Sequence, residues 1–484
     1  MAISNFQTLT KSQFDVQLRS FIEQFEGNKP LPYYDTTGNP TIGIGFNIFN
    51  ETMRNRVFGA MGIPDTDTGM RKTLSDIIND PGRRTRALAA ANNKTALDNI
   101  SKEMQDALDA AYGKPFSMPP DQINTVFDGE AASRVDTVSN SSGVGYSNEL
   151  IALVSAQFNG VYGSGTINAL HLSDPYEART EAWYQIRYAH VVGQNEKRRY
   201  AEAALFGLYG QGQDMSEDAA RGVYRMYSQH SDRMKNHDVT YSHLIAAANA
   251  DLNAAGFAGS VADLEPSLQP AADFLINKYG QGQSFSPLNI WVGESASSTL
   301  TGNSTTANLM IGDIGSDTLT GGSGNDVLIG GTGNDFLSGG QGNDTYIYNQ
   351  DDGFDTILDS DGQGSIVYND VTLSGGSQYG DARVHRDANK HLYVDVGQGL
   401  VIDGNILIKD YQSGNLNLTM TGTVAATNPQ TTQDIVGDLA SLNNGADALG
   451  NIKTDPSQAE ANRKDTLYDS PGNDHILSGG GNDI

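Results

Sequence analysis

The feature that most constrains this chain is a nine-residue period in its second half. Gly312, Gly321, Gly330 and Gly339 recur at that spacing, and so do Asp317, Asp326, Asp335 and Asp344. The clearest copies read GGSGNDVLI, GGTGNDFLS and GGQGNDTYI. A period held by two residue types at once marks a repeat architecture, in which each unit buries its apolar residues against its neighbours. Each copy offers a glycine-rich turn and then a short apolar strand. Leu319, Leu328, Leu337 and Tyr346 share one phase of the period, so stacked copies are expected to line a thin interior with them. A flexible glycine linker would keep neither phase.

Calcium takes six to eight oxygen ligands, more than one such turn supplies. Glycines let backbone carbonyls turn inward, and each Asp adds charge. If the turns alternate sides, Asp317 is expected to share an ion with Asp335, and Asp326 with Asp344, with Gly321, Gly330 and Gly339 contributing to the same sites. The pattern resembles the repeats-in-toxin (RTX) β-roll, and GFDTILDSDG at 353–362 looks like the flank of such a roll. A second array runs through Asp465, Asp474 and Asp483, which adds Asp474 and Asp483 as metal candidates. The resemblance implies Ca2+ as cofactor, and export by a type I secretion channel that reads a C-terminal tail. No such tail follows the second array, so export stands as an expectation.

The charge distribution agrees with a cation-dependent rear half. Residues 1–210 hold 19 Lys+Arg against 23 Asp+Glu, whereas residues 211–484 hold 12 against 35, within a net charge of −27. Nucleic-acid binding needs basic surface and is not expected. An acidic half repels itself until cations neutralise it. The absence of cysteine excludes disulfides, thiolate metal sites and cysteine nucleophiles. No apolar run reaches the ~18 residues of a membrane span. The opening MAISNFQTLTKSQ has no signal-peptide pattern, so the protein either stays inside the cell or leaves by a route that needs none; the RTX resemblance implies the second, a secreted, extracellular protein. The eight histidines show no HExxH or paired spacing, and zinc is not expected.

The front half reads differently. Over 12–26, Phe14, Leu18, Phe21, Ile22 and Phe25 fall on one helical face, Ser12 with Asp15 resembles a capping box, and Gly27 ends the helix. Tyr33–Phe46 reads as a hairpin around Thr-Gly-Asn-Pro. From about 50 to 210 the pattern is helical, giving an α+β catalytic domain over 1–210. Residues 211–290 read as a helical spacer or accessory segment. Residues 291–420 read as the roll with flanking β-structure, its 295–308 stretch as loop. A linker over 421–464 and the second array over 465–484 complete the order.

Candidate chemistry lies in Glu26, Asp35 and Thr41. Hydrolysis of a glycosidic bond needs an acid for the leaving oxygen and a second group to place the attacking water. Glu26 closes a helix, whose negative end disfavours the ionised carboxylate. Asp35, opening a hairpin, sits in a more polar setting, and Thr41 offers a hydroxyl across the turn. The order Glu26, Asp35, Thr41, ending in TIGIG, resembles the catalytic signature of phage-type lysozymes (endolysin muramidases).

That resemblance implies a lysozyme-like α+β domain with a small β-hairpin lobe and a helical lobe. Glu26 would be general acid, Asp35 would orient water with Thr41, and the reaction would invert. The stretches DPYEARTEAWYQIRY (174–188), NEKRRYAEAALF (195–206) and ALVSAQFNGVYG (152–163) extend the likeness. They put Arg198, or Arg199 one residue on, beside the acid. Phe46 replaces a histidine common in the family, and 50–120 is longer than usual. The implied substrate is peptidoglycan, with a cognate inhibitor as a further partner; a non-catalytic wall-binding module is the alternative.

Overall fold

A computed structural model describes residues 6–190, 195–210, 214–294, 296–379, 381–397 and 399–422, with the backbone of 434–436 and 475–477. The chain divides into two compact units, 1–214 with 232–267, and 215–231 with 268–484.

The first unit opens with helix Lys11–Glu26, which buries Phe14, Leu18, Phe21 and Ile22. Its cap is Thr10 with Gln13, not Ser12 with Asp15. Thr10 keeps an extended backbone (φ −69°, ψ 156°) that frees its hydroxyl to accept from Gln13, while Ser12 already lies inside the helix. Gly27, at φ 74°, ends it and turns the chain into a small antiparallel sheet. Lys29–Tyr34 pairs with Pro40–Gly43, placing Tyr33 opposite Thr41, and Pro40–Gly43 pairs in turn with Phe46–Asn47.

Helices follow. Asn148–Phe158 is the central one, with every residue from Glu149 to Ala156 buried. It packs against Lys11–Glu26 and Glu196–Phe206, which is how residues distant in sequence meet around Glu26. Inside this unit the buried Glu149 is matched by Arg179 at 3.2 Å.

Residues 211–290 do not form a spacer of their own. Asp232–Ser267 belongs to the first unit, because helix Ile245–Ala254 and the turn after it carry apolar residues that need a core. Phe257 meets the ring of Phe21 at 5.7 Å, and Ser20 donates to the carbonyl of Ala255 at 2.8 Å. Met215–Ser231 and the chain from Leu268 belong to the second unit. There Ser228 accepts from the amide of Val292 at 2.9 Å, and Arg221 pairs with Asp313 at 3.0 Å.

The second unit is a parallel β-roll. Strands Ile290–Val292, Leu309–Ile314, Val327–Thr332, Asp344–Tyr348 and Gly364–Tyr368 stack in parallel on one face. Thr299–Thr301, Thr318–Gly322, Phe336–Gly340 and Asp355–Ile357 stack on the other. Successive copies therefore alternate faces, and Leu319 pairs with Leu337 two copies on. Leu319, Leu328, Leu337 and Tyr346 share one core with Leu300 and Met310.

The roll starts earlier than the glycine repeat. Within 295–308, read as loop, Thr299–Thr301 is a strand of the second face. Its apolar Leu300 stacks on Leu319 as the later copies stack, although the Gly-Gly-x-Gly-Asn-Asp turn is absent there. At the far end Leu392–Asp395, Gly399–Ile402 and Ile406–Lys409 form an antiparallel meander joined in parallel to Asp355–Ile357. Inside the expected linker, Asp434–Val436 pairs in parallel with His475–Leu477. The remainder of that linker beyond 422 lies outside the described residues, as do Asp465, Asp474 and Asp483. Among the described residues, no helix is long and apolar enough to cross a membrane.

Candidate active site and calcium ladder

In the first unit, Glu26 ends its helix at the edge of a cleft of about 450 Å³. Arg198 donates to its Oε1 at 2.5 Å. The guanidinium is itself fixed: its Nε donates to Glu202 and to the hydroxyl of Ser155, both at 3.1 Å. Glu202 is fully buried and also meets Arg199 at 2.7 Å, so two arginines share one carboxylate. Of the two arginines offered by the sequence, Arg198 faces Glu26 and Arg199 points to Glu202. The helix end and Arg198 act on Glu26 as opposing fields.

Gly45 lies against the same carboxylate, where an added Cβ would stand 3.1 Å from Glu26 Oε2. Phe46, Arg56, Glu130, Arg134 and Phe158 also line the cleft. Glu130 bridges Arg56 and Arg134, giving the wall a fixed cationic stretch.

Asp35 and Thr41 meet across the hairpin turn. Asp35 Oδ1 accepts from the amides of Thr37 and Asn39 at 2.8 and 2.9 Å and from the Thr37 hydroxyl at 2.7 Å. Its Oδ2 faces the hydroxyl of Thr41 at 3.5 Å. One oxygen is thus spent on the turn and the other looks toward Thr41. Tyr33 links the two acids: burial first, then the negative charges of Asp35 and Glu26, push its phenol up to about 12. Tyr33, Ser155 and Glu202 were missed in the sequence. Only Glu202, four residues after Arg198 on one helix, left a local signal.

In the second unit the aspartates form two ladders. Asp317 Oδ1 accepts from the amide of Ser298 at 2.5 Å, Asp335 Oδ1 from Asp317 at 2.7 Å, and Asp355 Oδ1 from Asp335 at 3.1 Å. On the other side Asp326 Oδ1 accepts from Asn308 at 2.7 Å and Asp344 Oδ1 from Asp326 at 2.8 Å. The pairs 317/335 and 326/344 are those expected to share ions. Asp355 was missed because two extra residues move it off the nine-residue phase. Asn308, nine residues before Asp317, was missed although it holds the phase.

The other oxygen of each repeat aspartate tests whether calcium fits. Oδ2 of Asp317, Asp326, Asp335 and Asp344 is buried without a hydrogen-bond partner. Each fills the place where a glycine has no side chain: a Cβ on Gly321, Gly330 or Gly339 would lie 2.2, 2.2 or 2.1 Å from the Oδ2 of Asp326, Asp335 or Asp344. Backbone carbonyls enter the same spaces, Gly339 O beside Gly321 at 2.7 Å and Gly330 O beside Gly312 at 2.3 Å from the added Cβ. Burial pushes Asp317 and Asp326 up to about 6, and Asp335 and Asp344 to about 7. Buried, unpartnered carboxylate oxygens beside inward carbonyls are a hard-cation donor set.

The sequence profile of the RTX calcium-binding nonapeptide repeat matches four copies, at 311–346 and 462–484. The chain carries RTX calcium-binding repeats. These RTX repeats bind Ca2+, and the ladder residues above fall within or beside the first matched stretch. Among solved structures, a subunit of the Azotobacter vinelandii mannuronan C5-epimerase is similar at 28% identity, over 28% of this chain and 83% of that one, with a TM-score of 0.19. No curated protein matches the chain.

Proposed function

We propose that the first unit is a muramidase that cuts the β-1,4 bond between N-acetylmuramic acid and N-acetylglucosamine in peptidoglycan, on a polypeptide exported as an RTX protein. The observation that carries this reading is the ion pair of Glu26 and Arg198 at the cleft, reached from opposite ends of the unit. Glu26 protonates the leaving oxygen. Asp35, with one oxygen anchored by Thr37 and Asn39 and the other facing Thr41, holds the water that attacks the far side of the sugar. Arg56 and Arg134 along the cleft suit the carboxylates of a wall glycopeptide.

Calcium serves the second unit. Without the ion the repeat aspartates crowd buried negative charge together and oppose folding. At extracellular calcium, binding energy becomes folding energy. That logic suits passage through a type I channel in an unfolded state, and an inhibitor protein in the producer would guard its own wall.

The test is turbidity loss of purified peptidoglycan with wild type and Glu26→Gln, in calcium and in chelator. Clearing by wild type alone is expected. Clearing by Glu26→Gln would overturn the acid assignment, and wall binding without clearing would favour a binding module.

A further inference from the structure

Three side chains of the first unit, read as unrelated in the sequence, meet in its interior. His190 follows helix Pro175–Arg187, Glu196 opens helix Glu196–Phe206, and His237 comes from the part of Glu217–Tyr241 that belongs to this unit. One ligand atom from each lies within 4.8 Å of the others. The side chains are 7%, 3% and 3% exposed. Both ring nitrogens of His190, and Nε2 of His237, have no hydrogen-bond partner. A buried donor or acceptor left unmade is destabilising, so these imidazoles are placed for something other than packing. His190 Nε2 stands 3.9 Å from Glu196 Oε1, too far for a hydrogen bond.

The surroundings match those of a metal ligand set. His237 turns Nδ1 toward Asp238 Oδ1 and the Tyr200 hydroxyl, both at 3.4 Å, which leaves Nε2 directed away. A carboxylate behind a ligating imidazole is the usual outer support of a metal centre. Rings of Tyr188, Tyr200 and Tyr241 pack on His237 at 5.1, 5.8 and 4.9 Å and hold its imidazole in place. Two cations face the cluster: Arg199, 2.7 Å from the Glu202 carboxylate, and Arg233, which donates to the carbonyls of Tyr188 and His190 at 3.0 and 3.2 Å.

We propose that His190, Glu196 and His237 bind a divalent transition-metal ion, zinc by the chemistry of the donors, with water as fourth ligand. Two imidazoles and one carboxylate suit zinc and not calcium, which prefers oxygen. Bonds of ~2.0–2.1 Å in a tetrahedron set donors about 3.4 Å apart, so side-chain rotations of about 1 Å complete the site. Its consequence is mechanical. Asn195, at φ 63°, gives the Glu196–Phe206 helix no side-chain cap. An ion held by Glu196 fixes that helix two residues ahead of Arg198. The proposal is independent of any activity of the unit.

The experiment uses the full chain saturated with calcium and titrated with Co2+ as a spectroscopic probe, then with Zn2+. Wild type and the exposed-site control His171→Gln are expected to bind one Co2+ with tetrahedral d–d absorption that Zn2+ displaces. His190→Gln and His237→Gln should lose affinity by about tenfold or more. Absence of the tetrahedral signal in wild type, or variants that bind as wild type does, would overturn the assignment. X-ray absorption of the wild-type zinc form needs no variant: two imidazole ligands support the site, and a shell of oxygens alone refutes it.

Discussion

The amide of Asp317 donates to Oδ1 of Asp335, 18 residues along the chain and one turn along the roll, at 2.7 Å. One oxygen of each repeat carboxylate is therefore used by the fold itself, and the other, buried and unpartnered, is left for a cation. These two duties are separable by mutation.

Asp335→Asn keeps an oxygen for the Asp317 amide and removes the charge. In chelator it is expected to unfold at a higher temperature than wild type, because a buried carboxylate has gone. In calcium it is expected to unfold lower, because a ligand has gone. Asp335→Ala removes both duties and should lower stability in both conditions. Scanning calorimetry in calcium and in chelator decides; Asp335→Asn behaving as wild type in both would refute the split.

Without calcium the roll should be an acid-stable fold. The repeat aspartates are raised from 3.8 to about 6 or 7 in the folded state. A group so raised adds stability that is complete below its unfolded value and is lost as pH climbs through its folded one. Far-UV circular dichroism of chelated protein from about pH 4 to about pH 8 should show β-structure fading with rising pH, and calcium restoring it. A flat profile in chelator would contradict the burial of these groups.

Gly330→Ala sets a methyl group 2.2 Å from Asp335 Oδ2. The expected cost is about 1–3 kcal/mol, with weaker calcium binding. Gly59→Ala is the contrast, since it lies within helix Glu51–Ala60 with nothing within 4 Å of the added Cβ. It should stabilise by roughly 0.5–1 kcal/mol. Chemical denaturation of both variants in calcium provides the comparison, and equal shifts would mean the collision is relieved.

Arg198→Ala should cost about 3–5 kcal/mol, the penalty for breaking a buried pair, because Arg198 is 6% exposed and Glu202 is fully buried. Arg86→Ala breaks a pair with Glu103 whose partners are 52% and 50% exposed, and should cost far less, because water screens the pair. Thermal melts rank the two. A small loss for Arg198→Ala would mean that Arg199 alone can satisfy Glu202.

The roll was legible because one period governed glycine, aspartate and leucine together. Asp355 escaped because an insertion breaks the count, and the strands at Ile290 and Thr299 because, ahead of Asp317, Ser298 and Asn308 stand where later copies carry aspartate. In the first unit the helix Lys11–Glu26 and the hairpin declared themselves by local periodicity. Its partners did not: Ser155 and Tyr33 are common residues made special only by packing. His190, Glu196 and His237 follow no spacing rule, since each arrives from a different element. The spacer over 211–290 dissolved for a related reason. Helical periodicity tells that a face must be covered, not which core will cover it.

Asn308 occupies the aspartate phase at the start of one ladder and is fully buried. Its side-chain nitrogen donates to Asn303 O, Thr306 O and Asp326 Oδ1, while its oxygen accepts from the Asn303 amide and the Trp291 indole. The first rung of that stack closes on itself with no cation at all. The roll is thus expected to keep a seed that needs no ion, onto which the ion-dependent rungs add. Nearest-neighbour stacking makes such an assembly behave as a zipper. Its growth runs from Asn308 toward Asp344, and calcium sets how far it closes, not whether it can begin.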